Sequence, residues 1–104
     1  MDIYKVELAK AAECDMKDIA RYITSKLNAP TAAINTVQAI RAEIGNLKTN
    51  ALLHSLVRND RLSDKGYRPM IIKNYIVFYV VNEKDKIASV ARILHSRRDW
   101  QSIL

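Results

Sequence analysis

Seven consecutive residues, Tyr75-Ile76-Val77-Phe78-Tyr79-Val80-Val81, are all β-branched or aromatic, and an asparagine stands on either side of them. Such a run strongly favours a strand, and its lack of polar alternation predicts a central strand buried on both faces. The rest of the chain must therefore supply a partner strand on each side and a cover for each face. Arg68 to Lys73 reads as the preceding strand, with Asn74 marking a tight turn. Asn82-Glu83-Lys84-Asp85 reads as a polar hairpin loop, and Lys86 to Leu94 as the following strand. Connections this short imply an antiparallel meander.

Upstream the apolar period changes from continuous to helical. Ile3, Lys5 and Glu7 alternate with Tyr4, Val6 and Leu8, as in a short strand. Met16, Ile19, Ala20, Ile23 and Leu27 then mark an amphipathic helix over 11–27, with Asp15, Lys17, Asp18 and Arg21 assigned to its polar face. Asn28-Ala29-Pro30 ends that helix and starts a second, since proline suits a first helical turn. Ile34, Val37, Ile40, Ile44 and Leu47 give the second helix its stripe. The short break predicts a helical hairpin.

From Thr49 to Gly66 the periodicity fades, and Leu52, Leu53, Leu56, Val57 and Leu62 are expected to tuck part of this loop onto the core. Gly66 is expected to set the turn into the next strand. Trp100, Ile103 and Leu104 suggest a last helical turn folding back. The expected fold is α+β: an N-terminal strand, and a helical hairpin on one face of an antiparallel sheet with a three-stranded C-terminal meander. Residues 1–104 read as one domain, without repeat or linker.

Charge is uneven along the chain. Residues 1–52 hold seven Lys/Arg against six Asp/Glu, and residues 53–104 hold ten against five, within a net charge of +6. A basic half suits nucleic acid or an acidic protein, the alternative being a solvated surface. The single cysteine, Cys14, cannot form an internal disulfide and is read as a buried or half-buried helix residue. With no signal-peptide pattern and no long apolar run, a cytoplasmic protein without membrane contact is expected. One cysteine and two distant histidines give no zinc spacing, and two glycines give no phosphate-cradling loop. No metal or cofactor is expected.

Arg92, His95, Arg97 and Arg98 fall within seven residues at the end of the last strand, a platform suited to an anionic partner. Metal-free RNA cleavage needs a base, an acid and cations around the phosphate. His95 is the one credible proton-transfer residue of the basic half, with Arg68, Arg92 and Arg97 or Arg98 as cations. The competing reading is structural: His95 caps the strand end and Arg92 pairs with an acidic neighbour. His54 is read as structural. Trp100 could stack a base or plug the core. A basic surface or an open sheet edge could instead hold an acidic peptide.

Tyr67-Arg68-Pro69-Met70-Ile71-Ile72-Lys73-Asn74 with the strand after it, Arg92-Ile93-Leu94-His95-Ser96-Arg97-Arg98-Asp99-Trp100, and a helix carrying Ala12, Asp18, Ile19 and Tyr22 together resemble the RelE/ParE superfamily. These are toxins of bacterial type II toxin–antitoxin modules. The resemblance implies a growth-inhibiting toxin neutralised by a small acidic antitoxin laid over the basic groove. RelE-like members cut mRNA in the ribosomal A site, whereas ParE-like members poison DNA gyrase without nuclease activity. The Ile93-Leu94-His95-x-x-Arg98-Asp99 ending looks more like the ParE branch. In that branch no residue is catalytic, and Arg58, Arg61, Lys73, Arg97, Arg98 and Trp100 are candidate contact residues. In the RelE branch His95 would be catalytic with Arg68 and Arg92, although Ser96 stands where one nuclease subfamily has tyrosine. A third possibility is a degenerate toxin that only binds its antitoxin.

Overall fold

The apolar run forms β3 (Tyr75–Asn82), flanked by β2 (Arg68–Ile72) and β4 (Ile87–His95), in a computed structural model that describes residues 3–104. The other elements are β1 (Lys5–Leu8), α1 (Lys10–Ser25), α2 (Pro30–Asn50), α3 (Asp60–Asp64) and α4 (Trp100–Ile103). Strand order is β1-β4-β3-β2. The meander is antiparallel as expected, whereas β1 joins β4 in parallel, Lys5 opposite Ile87 and Leu8 opposite Val90. The helical hairpin explains this parity. It carries the chain out and back, so that α2 ends where β1 began and the Tyr4 N–H donates to the Lys48 carbonyl at 2.8 Å. β2 then starts from the same end as β1, and so does β4, two reversals later.

Tyr75, Val77 and Tyr79 enter the main core beneath the helices, together with Met16, Ile19, Ile40, Ile44, Leu47, Val90 and Ile93. Phe78 is also fully buried, outside that cluster, with its ring 5.3 Å from the Trp100 ring. The central strand is thus buried on the face beneath the helices, whereas on the other face only Phe78, under the C-terminal turn, is buried and Ile76 and Val80 are half-buried. Between Phe78 and Tyr79 the pairing with β4 slips, Phe78 facing Arg92 and Tyr79 facing Val90, which leaves Ala91 as a bulge. A bulge of this kind bends and twists the strand that carries it.

Several apolar expectations are corrected by the helical phase. The buried face of α1 is Ala12, Asp15, Met16, Ile19 and Ile23. Cys14 lies opposite this face and is exposed, not buried. Asp15, expected on the polar face, lies one helical turn from Ala12 and Ile19 and is buried with them. In α2 the buried residues are Ala33, Thr36, Ile40, Ile44 and Leu47, so Ile34 faces solvent at 57% exposure. Leu27 falls beyond the end of α1 and is also exposed. Of the loop leucines only Leu62 is buried, along with Val57; Leu52, Leu53 and Leu56 are exposed. Part of that loop forms α3, which Asn59 caps by accepting from the Leu62 N–H at 3.1 Å.

The loop is fastened to the sheet from beneath. The buried Tyr79 hydroxyl donates to the Ala51 carbonyl at 2.8 Å, and the Val57 N–H donates to the Tyr67 carbonyl at 2.9 Å. Gly66 supplies the left-handed turn into β2 with φ +83°. At the β2–β3 hairpin that role falls to Lys73, with φ +54°, so Lys73 sits in the turn and not in the strand.

Tyr79→Phe leaves a buried carbonyl without its donor, and should cost about 1–2 kcal/mol in urea unfolding. Lys73→Gly removes the Cβ clash of the left-handed region, and is expected to raise stability by about 0.5–1 kcal/mol on the same measurement.

Candidate functional site

β1 covers only the first half of β4. Its last contact is the Ala9 N–H on the Val90 carbonyl, at 2.9 Å, after which the chain turns into α1. The second half of β4 would present an open edge, and Asp15 of α1 occupies it. One carboxylate oxygen, Oδ2, accepts from the Ile93 N–H at 2.9 Å and from Arg92 Nε at 2.7 Å. The other, Oδ1, accepts from Arg92 Nη2 at 2.9 Å. The pair is a two-point fork between a buried carboxylate and a half-buried guanidinium. The hydrogen bond to Asp15 raises the Arg92 pKa above its ordinary value against the opposing effect of burial, so Arg92 stays charged. This is the acidic pairing that the structural reading of Arg92 anticipated.

Above this anchor, α1 and the end of β4 enclose a cleft of about 580 Å³. Its walls are Asp18, Ile19 and Tyr22 on the helix side and His95, Arg97 and Arg98 on the strand side, with Asn74, Tyr75 and Ile93 between them. The His95 ring stands edge-on to Tyr75, with centroids 5.4 Å apart. Its Nδ1 accepts from the Arg97 N–H at 3.1 Å, which leaves Nε2 to carry the proton of the neutral ring. The Ser96 N–H donates to the Asn74 carbonyl at 2.8 Å, tying the basic segment to the hairpin tip. Burial, helped by nearby Tyr22, pushes the Tyr75 phenol above its ordinary pKa. Arg97 and Arg98 are exposed.

Not every expected site residue gathers here. Arg68 pairs with Tyr79, four residues along β3 from the Tyr75 that faces His95. That is a separation of about 13 Å along the strand. Its Nη1 donates to the His54 carbonyl at 2.6 Å, and the His54 ring lies edge-on to Tyr79 at 6.3 Å. Burial raises the Tyr79 pKa, outweighing the opposing effects of Arg68 and the His54 backbone. Arg58, just before α3, and Arg61, within it, are exposed, and Arg61 Nη2 donates to the Gln101 carbonyl. Trp100 is half-buried against Phe78, and Lys73 is exposed at the hairpin tip. The sequence reading did not include Asp15, Asn74 or Tyr75 in the site. Asp15 carried a usable signal, an acid in phase with Ala12 and Ile19; the other two carried none.

The chain matches the family model of the ParE toxin of the type II toxin–antitoxin system parDE over residues 6–100. It belongs to the ParE toxin family. This ParE-family chain is similar in fold to one from the chromosomal ParDE toxin–antitoxin system of P. aeruginosa, with TM-score 0.73 and 18% identity, covering 89% of this chain and 96% of that one. A chain of the RelBE2 toxin–antitoxin complex of Mycobacterium tuberculosis is similar at TM-score 0.61 and 15% identity, with coverage of 89% and 98%. One from the E. coli DinJ-YafQ toxin–antitoxin complex follows at TM-score 0.55 and 16% identity, with coverage of 88% and 91%. No curated protein matches the sequence. The N-terminal strand, two helices and four-stranded sheet of this ParE-family toxin are thus a fold shared with chains of these toxin–antitoxin systems. Among the described residues no helix is long and apolar enough to cross a membrane.

Asp15→Ala in this toxin would leave the Arg92 guanidinium and the Ile93 N–H without their acceptor. The expected loss is about 2–4 kcal/mol by urea unfolding, below the full figure for a buried pair because Arg92 keeps some water. Arg92→Met leaves the more buried Asp15 carboxylate with only the Ile93 N–H as donor, and should cost at least as much.

Proposed function

We propose that this type II toxin acts on DNA gyrase and not on translated mRNA, with the His95–Asp99 segment as its docking surface. The observation that carries the reading is the dispersal of the cations that nuclease chemistry would need. Arg92 is held by Asp15, and Arg68 by the His54 carbonyl at the far end of β3. Neither lines the His95 cleft, so two of the cations assigned to a strained phosphate are not assembled around the proton-transfer residue. The family match, to the ParE toxin over residues 6–100, supports the same branch. Arg97 and Arg98, exposed on a segment tied to Asn74, present a positioned pair of positive charges. An acidic protein surface meets such a pair with both affinity and a faster encounter.

A second reading is kept alive by one feature. His95 borders the cleft along with Arg97 and Arg98, so one proton-transfer residue does share a cleft with two arginines. In that reading His95 is the general acid or base of a RelE-like endonuclease.

The two readings part at His95 and at the arginines. Under the gyrase reading, purified toxin inhibits gyrase supercoiling and His95→Ala retains that inhibition. Arg97→Glu/Arg98→Glu then weakens it by about tenfold or more at low salt. Primer extension on mRNA from a translating extract should show no new 5′ ends. New ends inside ribosome-occupied codons, lost in His95→Ala, would establish the nuclease instead. Absence of growth inhibition when the toxin is expressed alone would leave only the degenerate, antitoxin-binding form.

A further inference from the structure

Three leucines stand in solvent on a segment whose backbone is hydrogen-bonded to the sheet at three points. Leu53 is 72% exposed, and Leu52 and Leu56 are 44% exposed each. The segment that bears them is fixed at three points: the Tyr79 hydroxyl holds the Ala51 carbonyl, Arg68 holds the His54 carbonyl, and the Tyr67 carbonyl holds the Val57 N–H. The hydrogen bond from Tyr4 to Lys48 brings the exposed Ile3 to the same end of α2. A loose loop could fold its leucines inward; this one is held so that they project outward. Exposed apolar clusters on a rigid frame are characteristic of interaction surfaces.

The charge around the cluster narrows the occupant. From Leu47 to Asn59 the chain has no acidic residue, while Lys48 and Arg58 flank the leucines and are exposed. A second copy of this chain would bring the same cations against them, on a protein already at +6. An acidic segment with an apolar face meets both features. Because the chain is a type II toxin, the partner of that chemistry is its antitoxin. We infer that the Leu52–Leu56 strap is an antitoxin-binding surface, taking an acidic segment with an apolar face, separate from the His95 cleft. The inference rests on the toxin reading, and the strap belongs to the opposite end of the sheet from that cleft.

The test titrates the cognate antitoxin, by calorimetry, onto wild-type toxin and onto Leu52→Ser/Leu53→Ser/Leu56→Ser. Since the three side chains are exposed, the variant should melt with the wild type, and its affinity should fall by about tenfold or more. Arg58→Glu, made separately, should also weaken binding and flatten its salt dependence. Wild-type affinity in both variants would overturn the inference while leaving the toxin reading intact. Failure of the antitoxin to bind even the wild type would remove the toxin reading, and this surface with it. Two further outcomes overturn it at unchanged antitoxin affinity. One is loss of gyrase inhibition in the leucine variant, which would make the strap a target contact. The other is loss of binding to phosphatidylglycerol vesicles, which would make it a membrane face.

Discussion

A single carboxylate finishes the sheet where a strand runs out. β4 is more than twice the length of β1, so half its outer edge has no strand beside it. An unpaired strand edge exposes N–H groups that must find another acceptor. Asp15 supplies one for Ile93, and the same carboxylate binds Arg92 by two further hydrogen bonds. Helix α1 is thereby held against β4 at a fixed height. Everything above that point depends on it: the position of His95, the turn through Ser96, and the spacing between the helix wall and the arginine wall of the cleft. Bringing these two charges out of water has a large cost, which the fork geometry and the third hydrogen bond offset.

That same interaction reassigns a cation. Arg92 is surrounded in sequence by the basic residues that give the C-terminus its character, yet its charge is turned to α1. Arg68 is likewise turned to a carbonyl, at the other end of β3. Both guanidinium groups act as fasteners, one for the helix and one for the loop after α2. The exposed arginines, Arg97 and Arg98, follow the strand and lie where a partner can reach them. The two ends of the sheet therefore differ in kind: a polar cleft with a basic rim at one end, and a pinned loop with outward leucines at the other.

Much of this was readable in advance. The continuous apolar run fixed β3 as the central strand, because no residue in it tolerates a solvated face well. Short polar links fixed the meander. Pro30 after Asn28 fixed the break between the helices. Phase was harder. Ile34 and Cys14 are apolar by type and read as inward-facing, whereas their neighbours Ala33 and Asp15 hold the buried positions. Apolar content at roughly helical spacing leaves a one-residue ambiguity, and only packing against the sheet resolves it. The exposed leucines after α2 were misplaced for a related reason: hydrogen bonds to their backbone decide which way they face, and side-chain chemistry does not.

By itself the sequence determined the element order, the α+β class, the basic C-terminal half and the resemblance to the RelE/ParE superfamily. These follow from local propensity, from counting charges, and from motifs that lie contiguous in the chain. Tertiary structure decided what each cation does. Asp15 and Arg92 are 77 residues apart in the chain, and Arg68 and His54 are 14 apart, so no local pattern pairs them. The parallel placement of β1, the bulge at Ala91 and the cleft beside His95 likewise arise only when the hairpin of helices returns the chain to its starting end. Long-range pairing sets the geometry of the site, and a pattern that reads only neighbours along the chain has no access to it.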